Sequence, residues 1–207
     1  MKKSFSLIEL IFVVLILTII GSYINIKIQD NKLNDATNRL LLYLKETRYQ
    51  ALTDKKYRRD DDLWHKKRWT LKFFRCNKNV GGLYYSIYSD VNKTGHPSFD
   101  ESLSDPLTNK KIYSTNRCEI VGNRSKYVLL TKEYNINDIE ISCNNTSSLG
   151  QISFGNDGKT YSRLSSYENE YKEYEIKKSC TIELKSLKNG SREIIIEPNS
   201  AYVYIKK

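Results

Sequence analysis

Residues 1–20 read MKKSFSLIELIFVVLILTII, and the reading of this stretch decides the rest of the chain. Lys2 and Lys3 form a basic flank. The run from Leu10 to Ile20 is apolar apart from Thr18 and extends through Tyr23 and Ile24, about 20 residues in all, the length a helix needs to cross a bilayer. Glu9 stands at the mouth of this run. Taking a carboxylate toward the bilayer centre costs roughly 2.5 to 3.5 kcal/mol on insertion scales, so an acid in that place needs a cationic partner. A cleaved secretory signal would carry small residues after the apolar run, and Ile19-Ile20-Gly21-Ser22 is a poor site of that kind. A plain uncleaved anchor leaves Glu9 unexplained.

Helical spacing continues beyond the apolar run. Leu33, Ala36, Leu40, Leu44, Thr47 and Ala51 recur at steps of three or four, while Lys32, Asn34, Asp35, Arg39, Lys45, Glu46 and Arg48 fill the other faces. No proline interrupts residues 5–53, which predicts one helix roughly 73 Å long at 1.5 Å per residue, with Gly21-Ser22 as the place for a kink. Downstream, WTLKFFRC (69–76), GLYYSIYSD (82–90), NDIEISC (137–143), GQISFGNDGKTYS (150–162), CTIELKSL (180–187), REIIIEP (192–198) and AYVYIKK (201–207) alternate as strands. Asp157-Gly158 and Asn189-Gly190 predict two-residue hairpin turns. The expected fold class is α+β, a long N-terminal helix packed on an antiparallel sheet. The expected organisation is a leader (1–4), a membrane half of the helix (5–28), an amphipathic half (29–54) and a β-rich globular domain (55–207).

The stretch KKSFSLIELIFVVLIL closely resembles the leader and start of the type IV pilin superfamily, with a short basic leader, a phenylalanine at the cut and a glutamate four residues beyond it. The resemblance implies cleavage between Ser4 and Phe5 by a prepilin peptidase, with methylation of the new terminus; Ser4 stands where glycine is usual. It makes Glu9 the assembly residue. An α-amino group created at Phe5 is largely protonated at neutral pH, and in a filament it would meet the glutamate of a neighbouring subunit. Such a head-to-tail contact generates helical filaments. ATNRLLLYLKETRYQAL (36–52), with Arg48 and Ala51 in an Arg-x-x-Ala pattern, and the closing IIIEPNSAYVYI resemble H-type minor pseudopilins of type II secretion systems and FimT-like minor pilins. The implied protein is a single-pass inner-membrane subunit with its C-terminal domain in the periplasm. Its implied partners are other pilins or pseudopilins, the prepilin peptidase and an inner-membrane assembly platform.

Four cysteines, Cys76, Cys118, Cys143 and Cys180, fall in the part expected to be translocated, so two disulfides are expected. Of the three pairings, Cys76 with Cys118 and Cys143 with Cys180 keeps each bridge within one half of the domain. The loop DVNKTGHPSFDE (90–101) has the spacing of a calcium loop, with ligands at Asp90, Asn92 and Thr94, the His96 carbonyl, and Glu101. The same loop reads as a polar hairpin connection, and Asp90 to Thr94 resembles an acceptor site for bacterial N-linked glycosylation. KKYRRDDDLWHKKRW (55–69) places Tyr57, Trp64 and Trp69 among basic residues, a pattern for stacking single-stranded nucleic acid, but Asp60, Asp61 and Asp62 interrupt it, and the favoured reading is a solvated loop between the helix and the first strand. With 34 Lys and Arg against 24 Asp and Glu the net charge is +10, which supports a second reading as a DNA receptor in natural transformation. His65 and His96 are the only histidines, and neither has the companions that nucleophilic or acid–base catalysis requires, so a membrane-anchored periplasmic enzyme ranks last.

Overall fold

A computed structural model of the chain describes residues 7–30 and 32–206, and the side chains of all of these except 23–30. The expected processing residues, Ser4 and Phe5, and the junction at residue 31 lie outside the described residues. The chain divides into two compact units, residues 1–32 and 33–207.

In the first unit, α1 spans Leu7–Asp30 and has Glu9 in its first turn. It is helical through Gly21 and Ser22, where the Ser22 hydroxyl donates to the Thr18 carbonyl (2.9 Å) and the Thr18 hydroxyl to that of Leu15 (2.8 Å). Such back-bonding satisfies a hydroxyl within the helix that carries it. Among the described residues no helix is long and apolar enough to cross a membrane. The part of α1 with described side chains, 7–22, falls short of the roughly 20 residues required.

The second unit opens with α2 (Lys32–Thr53), whose buried face is Leu33, Ala36, Thr37, Leu40, Tyr43, Leu44, Thr47 and Ala51. These are the residues the helical spacing selects, joined by Thr37 and Tyr43. The strands follow: β1 (Trp69–Arg75), β2 (Leu83–Ser89), β3 (Asp138–Ile141), β4 (Gln151–Phe154), β5 (Thr160–Tyr161), β6 (Cys180–Ser186), β7 (Gly190–Ile196) and β8 (Val203–Ile205). They form two antiparallel four-stranded sheets, β2-β1-β4-β5 and β3-β6-β7-β8. The α+β class is as expected, while the single sheet resolves into two. One apolar cluster joins the inner face of α2 to both sheets, including Leu71 and Phe73 of β1, Ile87 of β2, Ile182 and Leu184 of β6, and Ile194 and Ile196 of β7. Tyr43 meets Tyr85 edge-on at 6.1 Å, and Tyr85 meets Phe73 likewise at 6.0 Å.

Both hairpins form where the Asp-Gly and Asn-Gly pairs fall, but each loop has three residues. Gly155 N–H donates to the Lys159 carbonyl across Asn156-Asp157-Gly158, and Ser186 pairs with Gly190 across Leu187-Lys188-Asn189. In both, the glycine takes a left-handed conformation (φ +77° at Gly158, +75° at Gly190). At Gly158, the last loop residue, with its N–H donating to the Gly155 carbonyl (3.2 Å), that geometry belongs to a type I turn closed by a glycine bulge, while Gly190 lies just past its loop as the first residue of β7; a two-residue turn needs positive φ at its own central positions. A short helix, α3 (Leu130–Tyr134), appears where no periodicity marks it.

The long segment 90–125 covers β2, all seven of whose residues are buried. Its own backbone continues the sheet: Leu103 N–H donates to the Ile87 carbonyl (2.8 Å), Ile87 N–H to that of Ile112 (3.0 Å) and Ile112 N–H to that of Leu103 (2.8 Å). The exposed edge that β2 would otherwise present is thereby closed. Leu40 is fully buried at the centre of α2, so Leu40→Ala should destabilise the domain by about 2–5 kcal/mol in denaturant unfolding.

Candidate functional site

The apolar helix is the feature that a folded domain does not need. Leu7, Ile8, Leu10, Ile11, Phe12, Val13, Val14, Leu15, Ile16, Leu17, Ile19 and Ile20 are all exposed, from 47% at Val13 to 78% at Leu7. Consecutive residues lie about 100° apart on a helix, so this run uncovers every face rather than one stripe. Glu9, also exposed, sits in the first turn, where a carboxylate is favoured by the helix dipole. On α2, the sequence pattern at Arg48 and Ala51 acquires a physical meaning. Ala51 is buried at the end of the inner face, and the Arg48 Nε donates to the Ser200 carbonyl (2.9 Å), tying the helix to the turn before β8.

The later part of the 55–69 segment is folded inward. Trp64 is buried and meets Tyr57 edge-on (5.4 Å), and the Trp69 indole N–H donates to Asp54 Oδ2 (3.0 Å). Arg68 is 3% exposed, with its guanidinium 3.7 Å from the Tyr161 ring centroid and its Nη1 donating to the Tyr171 carbonyl (2.8 Å). Asp61 receives Lys67 (2.6 Å) and Lys93. Of the rings and cations in this segment, Trp64 and Arg68 are taken up by the core, whereas Lys55, Tyr57, Arg58 and Arg59 stay exposed. Residues 55–60 are thus a solvated connection, and the part from Trp64 onward is built into the domain. What the sequence could not reveal is Lys93, a partner 32 residues away that makes Asp61 a clamp between two segments.

The 90–101 loop is held together by bonds among its own groups. Asp90 Oδ1 and Oδ2 accept the Thr94 and Gly95 amides (2.9 and 2.8 Å), Asn92 Oδ1 accepts the Thr94 amide (3.0 Å), and Glu101 accepts the Asn92 amide (2.9 Å) and the Ser98 hydroxyl (2.6 Å). The Thr94 hydroxyl is turned onto the His96 carbonyl (3.4 Å). Among the described residues no three His, Cys, Asp or Glu side chains converge to hold a metal. The loop follows a strand rather than the helix of an EF-hand, and its side-chain oxygens accept its own amides, as in a polar hairpin connection. The cysteines pair Cys76–Cys118 and Cys143–Cys180, with Cα separations of 5.8 and 5.4 Å.

His65, which carries no signal in the sequence beyond being a histidine, is fully buried. Its Nε2 lies 3.1 Å from the Ser165 carbonyl and so donates to it as the protonated nitrogen; Nδ1 has no partner among the described residues. Burial pushes the imidazole below its ordinary value, and the nearby Arg68 and Lys66 charges act in the same direction. Compared with models of protein families, with curated proteins and with solved structures, the chain matches none.

Two pH windows follow. His65 is neutral in the folded chain, with a pKa below the unfolded value near 6.5, so its contribution is complete above pH 6.5 and erodes as the pH falls toward the folded value. Asp61 is held down to about 2 by the hydrogen bonds from Lys67 and Lys93, so its contribution is present above pH 4 and is lost as the pH falls from 3.8 to about 2. Melting temperature against pH should show both declines. His65→Gln should flatten the upper one and leave the lower unchanged, and Asp61→Asn should reduce the lower one, to which the depressed Asp105 carboxyl also contributes, and leave the upper unchanged.

Proposed function

We propose that this chain is a minor pilin-like subunit, a pseudopilin that joins or caps a short periplasmic filament of a type II secretion or type IV pilus-like DNA-uptake machine. The observation that carries the reading is α1, with twelve large apolar side chains uncovered on every face and a carboxylate in its first turn. An aqueous domain has no use for such a helix, because an element apolar all round is stable only when surrounded by lipid or by other helices. In the membrane before assembly it is a single-pass anchor of the inner membrane. In a filament the same surface packs against the helices of neighbouring subunits, and Glu9 pairs with the amino terminus that cleavage creates at Phe5. Two disulfides suit a domain delivered to an oxidising compartment such as the periplasm. The role is structural. A DNA receptor in natural transformation is the second reading and rests on the net charge of +10; in the 55–69 segment Trp64 and Arg68 are taken up by the fold and so are not part of such a surface.

Removal of residues 1–4 leaves 203 of the 207 residues. Mass spectrometry and terminal sequencing of the protein from cells with a prepilin peptidase should find a methylated Phe5; an intact Met1, or a start near Ser22, would overturn the assignment. Glu9→Val should be cut and should persist in the membrane, because the acid is a cost there, yet it should fail to crosslink to partner pilins. Glu9→Gln should be a partial defect, keeping the shape and losing the charge that an ammonium needs.

A further inference from the structure

The first sheet has a polar outer face. Leu71 and Phe73 of β1 face the core, so Thr70 and Lys72 face away from it. Register sets Thr70 beside Tyr88 of β2 and Ser153 of β4, and Lys72 beside Gln151 of β4. Over this face lies a cavity of about 290 Å³. Three cations from separate elements line it: Lys66 from the 3-10 turn before β1, Lys72 from β1, and Arg163 from the loop after β5.

None of the three forms an ion pair among the described residues. Lys66 Nζ donates to the Lys93 carbonyl (2.8 Å) and Lys72 Nζ to the Gly95 carbonyl (3.3 Å), one contact for an ammonium that has three donors. The Arg163 guanidinium lies 5.1 Å from the Tyr174 ring centroid and is engaged by no carboxylate among the described residues. The one acid in the wall, Asp90, has both oxygens turned to the Thr94 and Gly95 amides, so the charged lining is net positive by two. Burial holds the Lys72 ammonium below its usual value, against the pull of Asp90. Three cations around one cavity, one of them partly desolvated, with a single carboxylate in the wall, leave an excess of positive charge that an anionic occupant would offset.

We infer that this cavity binds the oxyanion of a phosphate group, either free or as the monoester of a small polar molecule such as a sugar. A phosphomonoester carries about 1.5 to 2 negative charges at pH 7 and three acceptor oxygens, which suits three donor groups arriving from three directions. Hydroxyl and amide side chains in the wall, Thr146, Ser148, Gln151 and Ser166, suit the polar carrier of such an ester. The inference is independent of filament assembly, since every residue it uses lies in the second unit.

The test is isothermal titration of the full chain in nonionic detergent with inorganic phosphate and, separately, with glucose 6-phosphate at low ionic strength. Binding with a Kd on the order of 1 mM or tighter, weakened by sodium chloride, is expected for at least one of them. Inorganic phosphate binding as tightly as the ester identifies a site for the free anion; glucose 6-phosphate binding about tenfold more tightly identifies an ester site in which the hydroxyl wall takes part. Lys72→Gln and Arg163→Gln should each weaken binding by about tenfold or more. Arg163 is on an exposed loop, so that variant reports on binding even if Lys72→Gln perturbs the strand. Absence of binding by both probes up to roughly 20 mM, or affinity unchanged in both variants, would overturn the assignment.

Discussion

The domain turns on one buried carboxylate. Asp105 is 1% exposed, and four groups converge on it: the Tyr43 hydroxyl (2.7 Å), the Thr108 hydroxyl (2.8 Å), the Leu107 amide (2.9 Å), and the Arg39 guanidinium at 3.8 Å. Burial alone would push the carboxyl up, but the bonds from Leu107, Tyr43 and Thr108 and the Arg39 charge outweigh it and hold Asp105 below the usual range. Arg39 in turn lies 3.9 Å from the Tyr127 ring centroid. The network therefore fastens α2 to the 90–125 segment. A buried charge removed from its partners is strongly destabilising, so the segment cannot drift from the helix without exposing or stranding Asp105.

That constraint explains how a segment with little regular structure closes a sheet. The strand-like contacts of Leu103 and Ile112 with β2 are few, and a chain of this length has considerable entropy to lose in making them. Asp105 fixes it against α2, and the Cys76–Cys118 disulfide fixes it near the end of β1. With a sequence separation of 42 residues, the chain-entropy model gives that bridge about 4 kcal/mol through restriction of the unfolded state. Two anchors of different chemistry thus replace the ladder of hydrogen bonds that a regular strand would supply.

Where side-chain periodicity governs, the sequence was legible. Alternation located all eight strands, three-to-four spacing selected the buried face of α2, and the disulfide pairing followed from keeping bridges local. Backbone geometry was less so: Asp157-Gly158 and Asn189-Gly190 mark turns without declaring whether glycine sits inside the turn or closes it. Long-range polar partners were not legible at all. Asp61 with Lys93, Arg68 with Tyr161, and Tyr43 with Asp105 are separated by 32, 93 and 62 residues, and no local pattern announces them. The same blindness left the 55–69 segment open to both a solvated loop and a nucleic-acid surface, and hid that Trp64 and Arg68 belong to the core. A ring beside a cation reads identically in sequence whether it faces solvent or the core.

The two helices divide the apolar surface according to what each can cover. On α2 the apolar residues occupy one face and disappear into the cluster shared with both sheets, so this helix contributes to folding within one chain. On α1 they occupy all faces, and no single sheet could cover a cylinder, so the stabilisation available from burying them has to come from outside the chain. Twelve such side chains at about 1.5–3 kcal/mol each represent a driving force far larger than the stability of an ordinary domain. A force of that size has no register of its own, because apolar helices slide past one another at little cost. In the proposed filament Glu9 would supply what the apolar surface lacks. A single carboxylate meeting a single ammonium selects one axial offset among many, so in that proposal the apolar run packs and the acid positions.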